Sequence, residues 1–131
     1  MPVQYEVSAD GKFVRATATG EITPEEIHEF IQAIARDDRV KPGFRELFDV
    51  SHISASKVEK ESFARIRQLV LQNPKRLPGS HLAIVVGSGS SFDKAREYER
   101  IASPGVENVI VFNDLHTAEV WLGVTDVETV P

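Results

Sequence analysis

Apolar and polar side chains alternate from the start of the chain. Val3 to Ser8 and Phe13 to Thr19 place apolar or β-branched residues at every second position, and Ala9-Asp10-Gly11-Lys12 between them has turn chemistry, so the pattern predicts a β-hairpin. At Thr23 the period changes. Thr23-Pro24-Glu25-Glu26 offers an N-cap, a proline at the first helical position and a capping-box glutamate, and Ile27, Phe30, Ile31 and Ile34 follow at helical spacing. This predicts an amphipathic helix that ends in solvent at Arg36-Asp37-Asp38-Arg39.

After Lys41-Pro42-Gly43, Phe44 to Val50 reads as a short strand with Asp49 at its end, followed by the serine-rich turn Ser51-His52-Ile53-Ser54-Ala55-Ser56. Ser56 and Glu59 suit a second capping box, and Phe63, Ile66, Leu69 and Val70 form the buried stripe of a helix running to Asn73 and stopped by Pro74. His81 to Val86 is apolar on both faces, as a central parallel strand is. Gly87-Ser88-Gly89-Ser90-Ser91 leads into a third helix with Phe92, Ala95, Tyr98 and Ala102 inward, closed by Ser103-Pro104-Gly105. Val109 to Phe112 is another buried strand. Asp114 caps a final helix carrying Leu115, Ala118, Trp121 and Leu122, and Gly123 ends it.

The order β-β-α-β-α-β-α-β-α requires right-handed crossovers onto one sheet, parallel through its middle with an antiparallel hairpin at its beginning. The fold class is therefore an α/β sandwich on a mixed five-stranded sheet, with one domain over 1–123 and a loose tail over 124–131. A length of 131 residues fits one domain, and 41% hydrophobic residues supply its core without a metal or disulfide staple.

Composition narrows the chemistry. The chain has no cysteine, which removes disulfides, thiolate metal sites and cysteine nucleophiles together. The first residues lack the pattern of a secretory signal, and no apolar run approaches the roughly 20 residues of a membrane span, so a cytoplasmic protein is expected. A net charge of -5 opposes nonspecific attraction to nucleic acid. Residues 57–76 depart from this balance with six basic and two acidic side chains; Lys57, Lys60, Arg65, Arg67, Lys75 and Arg76 read as a solvated helix face or as a surface for an acidic partner.

Candidate site residues lie at the carboxyl ends of the strands, where open α/β sheets bind ligands. Asp49 and Ser51 close one strand, and Ser54 and Ser56 precede a helix N-terminus, which stabilises an added phosphate. Gly87, Ser88, Gly89, Ser90 and Ser91 form a glycine-rich loop before another helix, where backbone N–H groups can receive an anion, with Arg96 to pair it. The loop matches neither the P-loop nor the dinucleotide fingerprint. His28, His52, His81 and His116 have no metal-ligand spacing, no nucleophile elbow surrounds a serine, and no enzymatic activity, metal or cofactor is expected.

Several stretches in this order resemble the SpoIIAA-like group of the STAS superfamily. They are Gly20-Glu21-Ile22-Thr23-Pro24-Glu25-Glu26 entering the first helix, Leu47-Phe48-Asp49-Val50-Ser51 ending a strand, Ala95-Arg96-Glu97-Tyr98-Glu99 on the third helix, and Val111-Phe112 with Ala118-Glu119-Val120-Trp121-Leu122 near the end. The resemblance implies the fold of bacterial anti-sigma-factor antagonists and a non-enzymatic regulatory or protein-interaction role. In those antagonists a kinase partner phosphorylates a serine in an Asp-Ser-Ser-Gly turn; here His52-Ile53-Ser54-Ala55-Ser56-Lys57 corresponds, with serines but without that Asp and Gly. A protein partner would then dock around Asp49, Ser51, Ser54, Ser56, Lys57 and Lys60. The same broad fold is similar to the lipid-carrying Sec14 domain, which implies the alternative of a small-molecule or lipid carrier with an anionic ligand near Gly87 to Ser91 and Arg96. A homodimer is compatible with either.

Overall fold

The hairpin forms where the alternation predicts it. In the computed structural model, which describes residues 3–76, 80–87, 90–102, 107–125 and 129–130, β1 (Val3–Ser8) and β2 (Phe13–Ile22) pair antiparallel from Val3↔Ala18 to Val7↔Val14. Ser8 Oγ donates to Asp10 Oδ1 (2.6 Å) and accepts from Phe13 N (3.0 Å), which ties the turn to both strands. Gly11 sits in that turn at φ +74°, a conformation disfavoured for residues with a Cβ.

Helix α1 (Pro24–Arg36) begins with the predicted reciprocal cap: Glu26 N donates to Thr23 Oγ1 (3.3 Å) and Thr23 N donates to Glu26 Oε1 (3.0 Å). A cap of this kind stabilises a helix by about 1 kcal/mol. Ile27, Phe30, Ile31 and Ile34 are all buried. The remaining elements are β3 (Arg45–Ser56), α2 (Lys60–Leu71), β4 (Ser80–Val85), α3 (Ser90–Ala102), β5 (Glu107–Phe112), α4 (Leu115–Leu122) and β6 (Thr129–Val130). Asp114 Oδ2 accepts from Thr117 N (2.8 Å) at the start of α4, and Gly123, at φ +71°, ends it.

The expected mixed sheet is present, with strand order β5-β4-β3-β2-β1-β6. The ladders from β2 through β5 are parallel, and β1 is antiparallel to β2. The chain departs from expectation at its end, where β6 pairs with β1 and Val124 is fully buried, so residues assigned to a loose tail partly pack on the fold. Side-chain parity divides the sheet's two faces. Val14, Ala16, Leu82, Ile84 and Val109 join the inner faces of α1, α2 and α3 in one core, while Phe13, Leu47, Ala83 and Val85 meet Ala118 and Leu122 of α4 in another. Phe112 and Trp121 pack on this second core, with ring centroids 5.6 Å apart.

The largest correction concerns β3. Ser51 to Ser56, expected as a turn, continues the strand. Its pairing with β2 steps from Thr17↔Asp49 to Thr19↔His52 and from Gly20↔Ile53 to Glu21↔Ala55, so β3 gains one extra residue at each of two bulges. Pairing with β4 stops at Asp49↔Val85, and the serine-rich half of β3 therefore runs beyond its neighbour. Small polar residues that ordinarily signal a turn are here tolerated by a bulged, half-solvated strand. Helix α2 correspondingly starts later, with Glu59 as an N-cap that makes no side-chain capping bond, so the anticipated Ser56–Glu59 box does not form.

Candidate functional site

Three helices lie over one face of the sheet without filling the space beneath them. A cavity of about 130 Å³ remains between α1, α2, α3 and strands β2, β3 and β4. Its walls are Ile27 and Phe30 of α1, Phe63 and Ile66 of α2, and Phe48 and Ile84 of the sheet. On α3, Ala95 takes a lining position where a larger side chain would occupy the space, and Tyr98 closes against Phe63 with ring centroids 5.6 Å apart. Charged side chains border the cavity in two places.

The first is the pair Glu46 and Arg76. Arg76 Nη2 donates to Glu46 Oε1 at 2.6 Å, and the two side chains are 3% and 2% exposed. Arg76 also stacks its guanidinium over the Phe44 ring, 4.7 Å from the centroid. Glu46 reaches this position because it shares strand parity with Phe48, on the face covered by α1 and α2. An ionised pair is tolerated in such surroundings only when closely matched in charge and hydrogen bonding.

The second is Lys94 with Ser56. Lys94 Nζ donates to Ser56 O (3.3 Å) and Glu59 Oε1 (3.1 Å), joining α3 to the end of β3 and the start of α2. Lys94 is one-third exposed and Glu59 largely so, in contrast to the buried pair. Other ion pairs flank this end: Lys60 lies 3.6 Å from Glu97, and Lys57 lies 3.3 Å from Glu21. The Glu97 carboxyl is held below its ordinary value, first by its hydrogen bond from Arg100 and then by the charges of Arg100 and Lys60.

The structure brings some sequence candidates together and separates others. Asp49 and Ser51 meet, with Asp49 Oδ1 accepting from Ser51 N (2.9 Å) and Ser51 Oγ (2.5 Å), bonds that brace the first bulge of β3. Ser54, Lys57 and Lys60 are exposed. Ser56 Oγ accepts from Val58 N (3.2 Å), and Ser56 borders the cavity. Gly87 is exposed near Ser51, Ser88 and Gly89 lie outside the described residues, and Ser90 and Ser91 open α3. Residues 103–105, expected to close α3, are also outside them. Arg96 is exposed and approaches Glu99 at 3.9 Å; the cation lining the cavity from α3 is Lys94.

Nor is the basic run one solvated helix face. Lys75 Nζ donates to Ile34 O (3.3 Å) and Asp37 O (2.5 Å) at the end of α1, and Arg76 is buried. These two roles lie beyond the last turn of α2, where helical spacing no longer predicts a side chain's direction. Glu46 and Lys94 were not among the expected site residues; the signals that point to them are the parity of Glu46 with Phe44 and Phe48 and the place of Lys94 four residues before Tyr98. Among the described residues, no three His, Asp or Glu side chains gather as a metal site. No helix among them is long and apolar enough to cross a membrane.

No family model and no curated protein matches the chain. Among solved structures, it is similar to an uncharacterised protein of the DUF3478 family from Shewanella loihica PV-4, described as having a SpoIIAA-like fold. The two share 18% identity and superpose with a TM-score of 0.55, covering 92% of this chain and 91% of the other. The fold is SpoIIAA-like. At this identity the likeness establishes architecture alone, which agrees with the order of elements and the mixed sheet. The SpoIIAA-like frame places α1, α2 and α3 over one sheet face, and this chain leaves its cavity there.

Proposed function

We propose that this SpoIIAA-like protein binds a small, largely apolar molecule between its three-helix layer and the sheet. The observation that carries this reading is a cavity with largely apolar walls and charged side chains confined to the Glu46–Arg76 pair and to Lys94 at the border with Ser56. Ligand pockets combine these features, apolar walls for affinity and a few fixed polar groups for orientation. The polar groups are engaged with protein partners, which supports holding a ligand more than transforming one. Native mass spectrometry of gently isolated protein, together with thermal shifts against small aromatic and aliphatic compounds, tests the reading. A retained small molecule, or a rise in Tm that Ala95→Leu abolishes, is expected. No bound mass and no shift with any compound overturns it.

A second reading, a regulatory surface for a protein partner, is favoured by the extension of β3 past β4. That extension displays Ser54 and leads to exposed Lys57 and Lys60. A phosphate on Ser54 or Ser56 would add negative charge beside these lysines and alter docking there. Pull-downs with Ser54→Glu, Ser56→Glu and a Lys57/Lys60 charge reversal test it; recovery of the same proteins as wild type removes this surface as the interface.

A further inference from the structure

Resting on the ligand-binding reading above, we propose that the occupant of the cavity is a short amphiphilic acid, one ring or a chain of about six carbons bearing a single carboxylate. Its apolar part lies against Phe30, Phe63 and Ile84, and its carboxylate takes the place of Glu59 on Lys94 Nζ. Three observations converge on this class.

The first is the difference between the two cations lining the cavity. Arg76 is neutralised by Glu46 at 2.6 Å, with both side chains almost wholly buried. Displacing Glu46 would strand a carboxylate in the core, so the Arg76 charge is not exchangeable. Lys94 is paired at 3.1 Å with Glu59, whose side chain is 61% exposed and regains water when released. Such a solvent-screened pair holds weakly, and a ligand carboxylate can substitute for it. The carboxylate of Glu59 already marks where the ligand's would sit.

The second is the place of the two charged groups in the lining. Glu46 and Arg76 cancel each other's charge at the inner wall, so nothing there draws a carboxylate inward, and the ligand's charge is left to Lys94 at the border with its apolar part inside. Ser56 O, 3.3 Å from Lys94 Nζ, holds the ammonium at the cavity border while Glu59 is exchanged.

The third is size. A cavity of about 130 Å³ is close to the roughly 150 Å³ engineered apolar cavity that accommodates benzene. A single ring or a chain of similar bulk fits inside it. The two chains of a membrane phospholipid do not.

The test is calorimetric titration of the full chain with phenylacetate and hexanoate against their uncharged amides, phenylacetamide and hexanamide, at fixed ionic strength. Wild type is expected to bind each acid about five- to tenfold more tightly than its amide, the scale of one charge-assisted hydrogen bond at a partly solvated site. Lys94→Met, which keeps the apolar stem, is expected to erase that preference by weakening the acids more than the amides; Glu59→Gln is expected to strengthen acid binding several-fold. Equal affinity for acids and amides, or a preference that survives Lys94→Met, overturns the proposed class while leaving the cavity as a ligand site. Failure of every acid and amide to bind overturns the proposed class, and together with no retained mass and no thermal shift from any compound it overturns the cavity as a ligand site. Tighter binding of dioleoyl phosphatidylglycerol vesicles than of either acid overturns the size argument.

Discussion

Arg76 Nη2 meets Glu46 Oε1 at 2.6 Å beneath the helix layer, with the Phe44 ring stacked against the guanidinium. Removing either charge leaves the other in the core, so Arg76→Met is expected to cost about 3–5 kcal/mol, while Glu46→Leu combined with Arg76→Met restores most of the loss. Urea unfolding of the single and double variants checks this, with Arg65→Met on the exposed side of α2 as the surface control. An Arg76→Met loss no larger than that of the control would show that the pair is not buried as described.

Asp37 supplies a pH-dependent contribution at the C-terminal end of α1. Its carboxyl accepts from Arg39 Nη2 (2.8 Å) and Tyr5 Oη (2.8 Å), and it is held well below the ordinary carboxylate range, first by the hydrogen bonding of Arg39 and then, against the opposing effect of burial, by Tyr5. The unfolded carboxyl titrates near 3.8, above the folded one. Stabilisation is therefore complete above that pH and is lost as pH falls through the interval below it. Asp37→Asn is expected to cost roughly 1–2 kcal/mol at neutral pH, from lost charge-assisted bonds, and to flatten the stability profile below about pH 4. Thermal unfolding between pH 2 and 7 checks both, and a parallel acid decline in wild type and variant would remove Asp37 as a source of it.

Two glycines with nearly the same backbone angle should respond differently to a methyl group. Gly11 and Gly20 have φ of +74° and +68°, but a Cβ on Gly11 would lie 2.2 Å from Arg39 O and 2.7 Å from Lys41 Cγ, whereas one on Gly20 meets nothing within 4 Å. Gly20→Ala bears only the left-handed strain, about 1–2 kcal/mol. Gly11→Ala adds a backbone collision and is expected to cost at least about 2 kcal/mol more. Equal denaturation midpoints for the two variants would contradict the close packing of the β1–β2 turn on the 39–41 segment.

The success and failure of sequence reading follow from which forces decide each element. Thr23, Pro24 and Glu26 fix the start of α1 by local chemistry, and Ile27, Phe30, Ile31 and Ile34 fix its buried face by period, so both were legible. The same held for Asp114 and Gly123 at the two ends of α4. Ser51 to Ser56 misled because turn-forming residues also suit a bulged strand, and only pairing with β2, about thirty residues earlier, distinguishes the two. Asp49 and Ser51, expected at a strand end, lie within β3, and their mutual hydrogen bonds come from a bulge that local sequence does not encode. The cavity was the least legible feature. It depends on what three helices fail to fill, a property of packing that no single periodicity contains.

The outer edge of β5 should owe part of its protection to a side chain of α3. Val111 N donates to Glu99 Oε2 of α3 at 3.0 Å, so a backbone group of the edge strand already has a partner. Edge strands left with open backbone groups template pairing with other chains. Glu99→Ala is expected to cost about 1 kcal/mol, to speed amide exchange at Val111 and to promote concentration-dependent self-association, while Glu99→Gln, which keeps an acceptor, retains most of the protection. Hydrogen exchange and sedimentation velocity read these effects separately. Unchanged Val111 exchange in Glu99→Ala would mean that the bond does not govern the edge.

Filling the cavity should set stability against binding. Ala95 lies on the cavity-lining side of α3, and Leu at that position directs its added carbons into the space left by the helices. Voids in apolar cores cost about 24 cal/mol per Å³, and helix propensity changes little between Ala and Leu, so Ala95→Leu is expected to raise the stability of the ligand-free protein by about 1 kcal/mol or more if the side chain enters in a relaxed rotamer. The same atoms occupy the ligand's volume, and thermal shifts by small apolar compounds should vanish. A variant that is stabilised and still binds would place the ligand elsewhere on the protein. One that is destabilised by more than about 1 kcal/mol would show the space to be narrower than a leucine side chain, and with it too narrow for a six-carbon occupant.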